Sequence, residues 1–498
     1  MSTKLIKTII SLVLAITVIV ALPFGTVAGA LDDGRSGVCG ENLTWKLDKK
    51  GLLTISGKGE MDSYADSDIA PWGLSFADDV KSIVIKEGVT SLGNEAFFSL
   101  ANLSEVTLPS TLKKIGDNAF TDCGKLGDVS LGDALTSIGA GAFSHCSELK
   151  EFNIPASVES IGELAFVGCS NLEKITVDEK NSKYCDVDGV LFNKSETELI
   201  CCPAKISGVY KVPSKTTIID TRAFEACYEL TRVILPYSLR TIGDGAFGWC
   251  KKLESIVIPN SVMSIGEGAF AYNKGLKVFG YKDSAIEAYA TENKIAFEAL
   301  ATTADNKAAA FYNDGRNIIE GAELVITADD NVVAPESVAG ADIYDISLTR
   351  NGKSVFLVAP MIICVPIENE VQPLPGATVG YEVYRLTDGG KTKKTEATVE
   401  GRYLVFEASS EGRYAVLPVM IAEDGTSHSA VETKIMTGDV NGDKSITLED
   451  VVAIQRHIAK LEKLASVDKY NADADKDGYV SMNDVVTIQR HIAKLISF

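Results

Sequence analysis

The chain has 498 residues, 46% of them hydrophobic, and a formal charge of −20 from 48 Lys and Arg against 68 Asp and Glu. That length allows about three domains. The acidic balance argues against a nucleic-acid partner and suits an exported protein that takes up divalent cations.

Lys4 and Lys7 precede an apolar run from Ile9 to Leu22, and Ala28-Gly29-Ala30 supplies small residues before Leu31. This is the pattern of a signal peptide over residues 1–30. The other reading, an uncleaved anchor, is weaker because the run is shorter than the ~20 residues a span needs. No later segment could cross a bilayer, so the expectation is an exported protein, extracellular or on the cell surface, without stable membrane insertion. Within residues 31–80, Leu43–Leu47 and Leu52–Ile55 alternate around an Asp48–Gly51 turn, which predicts a β-hairpin. Its expected task is to cap the exposed end of a stack of repeats.

Residues 81–300 repeat. An Ala-Phe pair recurs at Phe97, Phe120, Phe143 and Phe166, then at Phe224, Phe247 and Phe270, at intervals of 23 residues except one of 58. One rung runs Val106, Leu108, Leu112, Ile115, Gly116, Phe120, Cys123, Leu126: alternation as in a strand, then wider spacing as in a turn to the next rung. A single rung cannot bury its own apolar side, so the rungs stack into a solenoid with one continuous core. Gly116, Gly139, Gly162, Gly243 and Gly266 precede the pairs, where a tight bend favours a residue without Cβ. Cys123, Cys146, Cys169, Cys227 and Cys250 share one repeat position that wants a small buried apolar side chain, so they read as free thiols rather than a disulfide framework. Cys201-Cys202 suggests no chemistry. The long interval contains Val187–Phe192 and Glu198–Cys201, a hairpin expected to bulge from a rung.

The outward strand positions carry Thr107, Ser130, Asn153 and Thr176 in one file, continued by Ile234 and Val257, beside Glu105, Asp128, Glu151 and Lys174. This hydroxyl and amide ladder is a candidate ligand face or an ordinary solvated sheet. It has no aromatic stripe to stack on sugar rings.

Residues 301–430 change character. Six short β-rich runs, at Leu324–Thr327, Asp345–Thr349, Ile362–Pro366, Tyr381–Arg385, Tyr403–Phe406 and Tyr414–Leu417, alternate with turns such as Asn351-Gly352, which suggests an antiparallel sandwich. A carbohydrate-binding module has the same outline. Asp424–Ser429 reads as a linker.

Residues 434–498 write one pattern twice, offset by 34 residues. The first loop places oxygen donors at Asp439, Asn441, Asp443, Ser445, Thr447 and Asp450. The second places them at Asp473, Asp475, Asp477, Tyr479, Ser481 and Asp484. Positions 1, 3, 5 and 12 give side-chain oxygens, position 7 a backbone carbonyl, and position 9 a hydroxyl or bridging water. A hard cation such as Ca2+ takes six to eight oxygens, and this spacing wraps them around one ion per loop, two Ca2+ in all. A lone acidic loop is weak evidence, since such loops are common on solvated surfaces. Two copies, each feeding nearly the same amphipathic helix, are strong. Val451, Ile454, Ile458 and Leu461 form the apolar side of the first helix.

These residues resemble two families. The duplicated loop and helix are similar to a type I dockerin, the module that plugs secreted proteins into cohesin domains of a cellulosome-type scaffold. Two EF-hand-like loops in a small α-helical domain are the fold this implies. The resemblance implies cohesin contacts at Leu448, Glu449, Gln455, Arg456 and Lys460, and at Met482, Asn483, Gln489, Arg490 and Lys494. Because the helices over Asp450–Leu461 and Asp484–Leu495 differ only at Ala453 and Thr487, it also implies two binding orientations. The sequence departs from the family at Lys444, where Gly is usual, and at Leu448-Glu449 and Met482-Asn483, which replace small hydroxyl pairs. The repeats, the hairpin before them and Ala70-Pro71-Trp72 resemble the bacterial BspA-like leucine-rich-repeat surface proteins, which are extracellular binding or adhesion proteins.

No catalytic constellation is legible. His457 and His491 are duplicates, His428 lies in the linker and His145 beside the cysteine position; neither a G-x-S-x-G elbow nor an H-E-x-x-H is present. A glycosidase needs two carboxylates across a cleft, and a ridged solenoid offers no wall for one. The sequence therefore reads as a multidomain, mainly β chain: a leucine-rich-repeat solenoid, an antiparallel β-sandwich-like module and a dockerin. Its expected role is a non-catalytic binding protein with an unknown protein or glycan ligand on the repeats. The alternative is a carbohydrate-binding accessory component of polysaccharide degradation.

Overall fold

A computed structural model describes residues 35–493 except 65–68, 74, 306, 313–321, 329–340, 356–359, 368–376, 388–391, 423–426, 430–439, 441–445, 460–473 and 475–481. The signal-peptide segment lies outside these residues. Among them no helix is long and apolar enough to cross a membrane. The chain is mainly β, with three helices among the described residues: α1 (Ala285–Asn293), α2 (Leu448–Ile458) and α3 (Met482–Ile492).

The repeats build a solenoid. Most rungs open with a short strand such as Glu105–Thr107 or Glu151–Ile154, whose alternation sends Val106, Phe152 and Ile154 inward and leaves Thr107 and Asn153 outside; the rung at Asp128–Leu131 follows the same course without strand pairing. Strands of successive rungs pair in parallel one repeat apart, Glu151 to Lys174 and Ser255 to Lys277. Each rung also has a second strand, absent from the sequence reading. Lys114–Ile115, Ser137–Ile138 and Ser160–Ile161 pair in parallel and form a second sheet along the solenoid. At two residues they are too short to show alternation, so nothing in their pattern distinguishes them from turn.

The Ala-Phe pairs fill the space between the sheets. Phe97, Phe120 and Phe143 are fully buried and stacked, with ring centroids 5.2 and 5.4 Å apart. Trp72 continues the stack at 5.5 Å from Phe97 and donates its indole N–H to the Ala96 carbonyl at 2.8 Å. The N-terminal strands Ser36–Gly40, Leu43–Leu47 and Leu52–Gly57 extend the first sheet and close this end. At the other end α1 buries Ile286 and Ala290, and Ala296–Ala299 pairs with Lys277–Gly280.

The repeat glycines have a different cause from the bend expected. At Gly139 a Cβ would lie 2.5 Å from the Asp117 amide nitrogen of the preceding rung, and at Gly243 the same distance from Thr221. Neither has a positive φ. Close stacking of backbones excludes the side chain.

In the long interval a turn on Asp188 and Gly189, at φ 53° and 80°, splits the first predicted strand, Val187–Phe192, so that Tyr184–Val187 and Val190–Asn193 pair as an added hairpin. The predicted hairpin itself is Val190–Asn193 with Glu198–Cys201. It does not bulge. Val190, Leu191 and Phe192 are fully buried, Leu191 in the core of the earlier rungs and its neighbours in that of the later ones. The hairpin is spliced into the stack, because a run of three apolar residues has to be covered on both faces.

Residues 301–429 form two antiparallel sheets around Leu324, Ile346, Leu348, Ile363, Val383, Phe406 and Tyr414. All six predicted runs are strands. Shorter strands such as Ala397–Glu400 complete the sheets, and Ser427–Ser429 pairs with the Gly412–Ala422 strand. The end of the expected linker is thus an edge strand, held by backbone hydrogen bonds that its polar composition does not advertise.

Candidate functional site

Helices α2 and α3 pack through Val451, Ile454, Val485 and Ile488, with Val440 and Ala474 completing a small core. Ile458, expected inside, is exposed at 36%, whereas its counterpart Ile492 packs against the core. Each helix begins with a fully buried aspartate. Asp450 Oδ1 accepts from the Val440 amide at 2.7 Å, and Oδ2 from the Thr447 amide at 2.8 Å. Thr447 Oγ1 in turn accepts from the Glu449 amide at 3.2 Å. Thr447 thus caps the helix through the Glu449 amide, and Asp450 three residues on reaches back to the Thr447 amide, the second half of a capping box. Asp484 Oδ1 repeats the first of these contacts, accepting from Ala474 at 2.7 Å.

The fit to a cation follows from these contacts. Val440 and Ala474 are the second residues of their loops, so each aspartate ties position 12 to position 2. An ionised carboxylate has about four lone-pair sites, and hard cations take such oxygens. Of the twelve expected ligands, Thr447, Asp450 and Asp484 are described. Asp439, Asn441, Asp443, Ser445, Asp473, Asp475, Asp477, Tyr479 and Ser481 lie outside the described residues, as does Lys444.

The residues expected to meet a partner all lie on the surface where described: Leu448, Glu449, Gln455 and Arg456 on α2, and Met482, Asn483, Gln489 and Arg490 on α3. Lys460 and Lys494 lie outside the described residues. The sequence reading missed Val452 and Val486, which are 46% and 41% exposed, one turn after Leu448 and Met482 at 63% and 52%. The duplication contained the signal: an apolar residue at the same exposed helix position in both copies. Each helix therefore shows an apolar pair beside polar Gln and Arg, repeated by the other.

On the solenoid the outward file divides in two. Thr107, Ser130 and Asn153 are exposed and Thr176 half-buried, its hydroxyl donating to Asn153 Oδ1. The flanking charges are partly engaged: Lys174 pairs with Glu151 at 3.2 Å, and Asp128 accepts from the Glu151 amide. Farther along, Val257 belongs to a buried cluster with Tyr237, Phe279, Tyr281 and Leu300 of the solenoid and Ala309, Phe311 and Cys364 of the sandwich. Ile234 lines the remaining cavity between the two, about 190 Å³, with Lys211, Arg232, Glu396 and Thr398. The switch from Asn and Thr to Ile and Val is thus the footprint of the sandwich. Glu400 fastens it: this buried carboxylate accepts from the Tyr237 amide at 3.0 Å, while Tyr403 packs 4.9 Å from the Tyr237 ring.

The thiols are free and mostly buried. Burial pushes Cys123 and Cys169 up to about 12, and burial with the charge of Asp62 does the same at Cys39. A thiol held protonated is a poor nucleophile. Among the described residues no cluster of three or more His, Cys, Asp or Glu could hold a metal.

The parallel two-sheet solenoid of 23-residue rungs has the fold of a leucine-rich repeat, and a pair of packed helices closes the described chain. Residues 75–195 and 206–313 match the BspA type leucine rich repeat region, in six copies, and residues 437–493 match the dockerin type I domain. Both modules are typically non-catalytic. No curated protein matches the chain. Among solved structures it is similar to a leucine-rich repeat protein from Eubacterium ventriosum ATCC 27560 over 54% of this chain and 74% of that one, at 29% identity and a TM-score of 0.43. It is similar to the pneumococcal vaccine antigen PcpA over 49% and 81%, at 21% identity and a TM-score of 0.37. A leucine rich cell surface protein from Faecalibacterium prausnitzii A2-165 is similar over 48% and 87%, at 23% identity and a TM-score of 0.32.

Proposed function

We propose that this chain is an exported, non-catalytic interaction protein, tethered to a scaffold through its C-terminal module and presenting its solenoid to a ligand. In this reading residues 1–30 are a signal peptide, 31–80 the cap, 81–300 the repeats, 301–430 the sandwich-like module and 434–498 a calcium-dependent dockerin that binds a cohesin. The observation that carries the reading is the duplicated helix surface: Leu448 and Val452 on one helix, Met482 and Val486 on the other, beside matching Gln and Arg. Exposed apolar pairs rimmed by polar side chains are what a protein partner covers.

Calcium, bound at the twelve loop positions, would supply the positive charge that lets these acidic side chains gather. The chain's own part is to hold Asp450 and Asp484 at the helix starts through the Val440 and Ala474 amides. On the solenoid, the ligand face of this reading is the polar part of the outward file, Thr107, Ser130, Asn153 and Thr176. Titration of the full chain with cohesin domains, in calcium and in chelator, tests the tether. Capture by the same chain from a native secretome tests the ligand face, and loss of capture on replacing Asn153 and Thr176 is the expected result.

A further inference from the structure

The turn after each Ala-Phe pair places one residue per rung in the left-handed backbone region: Ser99, Asp122, His145, Gly168, Ala226, Trp249 and Tyr272, with φ between 57° and 76°. Small or short polar residues accept this conformation; for a bulky side chain it is a strained outlier. Trp249 and Tyr272, in the last two rungs, are therefore unexpected. Core packing does not account for them, because Phe247 and Phe270 already fill the interior. Trp249 and Tyr272 are instead 39% and 69% exposed, with ring centroids 4.3 Å apart and planes within 15°. Lys251 extends the array, its ammonium 4.6 Å from the Tyr228 ring and 5.7 Å from Trp249. Backbone strain kept for exposed rings points to a ligand.

The two rings border a groove of about 660 Å³ at the end of the repeats, which Asn273, Lys274, Asn293 and Lys294 also line. Both charged groups in this lining are lysines, and no carboxylate joins them among the described residues, although the whole chain carries −20. Aromatic rings stack on the C–H faces of pyranoses, and ammonium groups pair with a carboxylate; the Asn273 and Asn293 amides already donate to the Phe247 and Tyr289 carbonyls and take no part. We propose that this groove binds an acidic sugar, a hexuronate unit of a polyuronate chain. This goes beyond scaffold docking and holds whether or not the C-terminal module finds a cohesin. The platform lies on the turn edge of the solenoid, away from the outward strand file.

The test titrates the full chain with oligogalacturonates in chelator, so that calcium bridging plays no part, against neutral xylo- and cello-oligosaccharides and poly-glutamate. Saturable oligogalacturonate binding is expected, at least tenfold tighter than to either control. Tyr272→Ala should weaken it about tenfold, the scale of one lost aromatic stack, and Tyr272→Phe should leave it within about twofold because the ring remains. Lys274→Ala with Lys294→Ala should weaken it and flatten its dependence on salt. If Tyr272→Ala lowers the melting temperature enough to unfold the chain, the exposed lysine pair carries the test alone. Absence of binding, equal binding of neutral sugars, or indifference to the lysine pair overturns the proposal. Equal binding of poly-glutamate also overturns it, in favour of an acidic protein partner.

Discussion

Cys146 Sγ donates a hydrogen bond to the carbonyl oxygen of Phe120, 3.2 Å away and one rung earlier. Cys123 makes the same bond to Phe97, Cys169 to Phe143 and Cys250 to Phe224. In the last rung Asn273 replaces the thiol, donating its amide to Phe247 at 2.6 Å. The position thus wants a small buried donor, which corrects the purely apolar reading of the sequence. Cys146→Ser keeps a donor, whereas Cys146→Ala loses a bond worth ~0.5–1.5 kcal/mol. Chemical denaturation should rank the serine variant as the more stable. The opposite order would restore the apolar account.

The buried thiols also set an alkaline limit. Cys39, Cys123 and Cys169 titrate at about 12 in the fold against an ordinary 9.0. A raised folded pKa means that the unfolded chain loses its protons first as pH rises. Their contribution to stability is therefore constant below pH 9 and lost between pH 9 and about 12. Solenoid stability measured by urea unfolding should fall across that window. Flat stability through it would show that these thiols are more accessible than their burial implies.

The sandwich is held to the solenoid by Glu400 and the apolar cluster around Val257. Glu400→Ala removes the acceptor of the buried Tyr237 amide, a loss of ~1–3 kcal/mol. Calorimetry should then resolve two transitions where the wild type gives one, or a wider gap between them. A single unshifted transition would mean that the contact contributes nothing to coupling.

Much of this arrangement is legible in the sequence, and the gaps have physical causes. The Ala-Phe spacing fixes the rungs because a stacked core repeats with the chain, whereas Val187–Phe192 reads as one strand although Asp188-Gly189 turns the chain inside it. The second sheet is invisible because a two-residue strand such as Ser137–Ile138 has no periodicity. Ile234 and Val257 sit in an otherwise polar file, but only the tertiary fold tells what covers them. Trp249 and Tyr272 look like ordinary surface residues until their backbone is seen. In the C-terminal module the spacing proposes the donors, of which Thr447, Asp450 and Asp484 are described. The capping role of Asp450, and the exposure of Val452 and Val486, needed the packed helices.

Asp450 serves both the helix start and the loop, so its removal should be felt without calcium as well as with it. Hydrogen exchange in the full chain should show faster exchange in Leu448–Ile458 for Asp450→Ala in chelator, by the ~1–3 kcal/mol of leaving the buried Val440 amide without its acceptor, and a larger difference in calcium. Asp484→Ala should do the same in Met482–Ile492. An effect confined to calcium would assign Asp450 to the ion alone.

Two equivalent helix faces predict two docking orientations. Leu448→Asp with Val452→Asp should weaken cohesin binding only about twofold, since the α3 face remains and half of the statistical weight is lost. Adding Met482→Asp and Val486→Asp should remove binding, a loss far beyond the sum of the two pairs. Complete loss from either pair alone would leave a single mode.

The most direct measurement is calorimetric titration of the full chain with a panel of type I cohesins, first in calcium and then in excess chelator. The account predicts one-to-one binding to at least one cohesin in calcium and none in chelator, with the solenoid still folded. Binding that survives chelation, or failure to bind any cohesin in calcium, would contradict it.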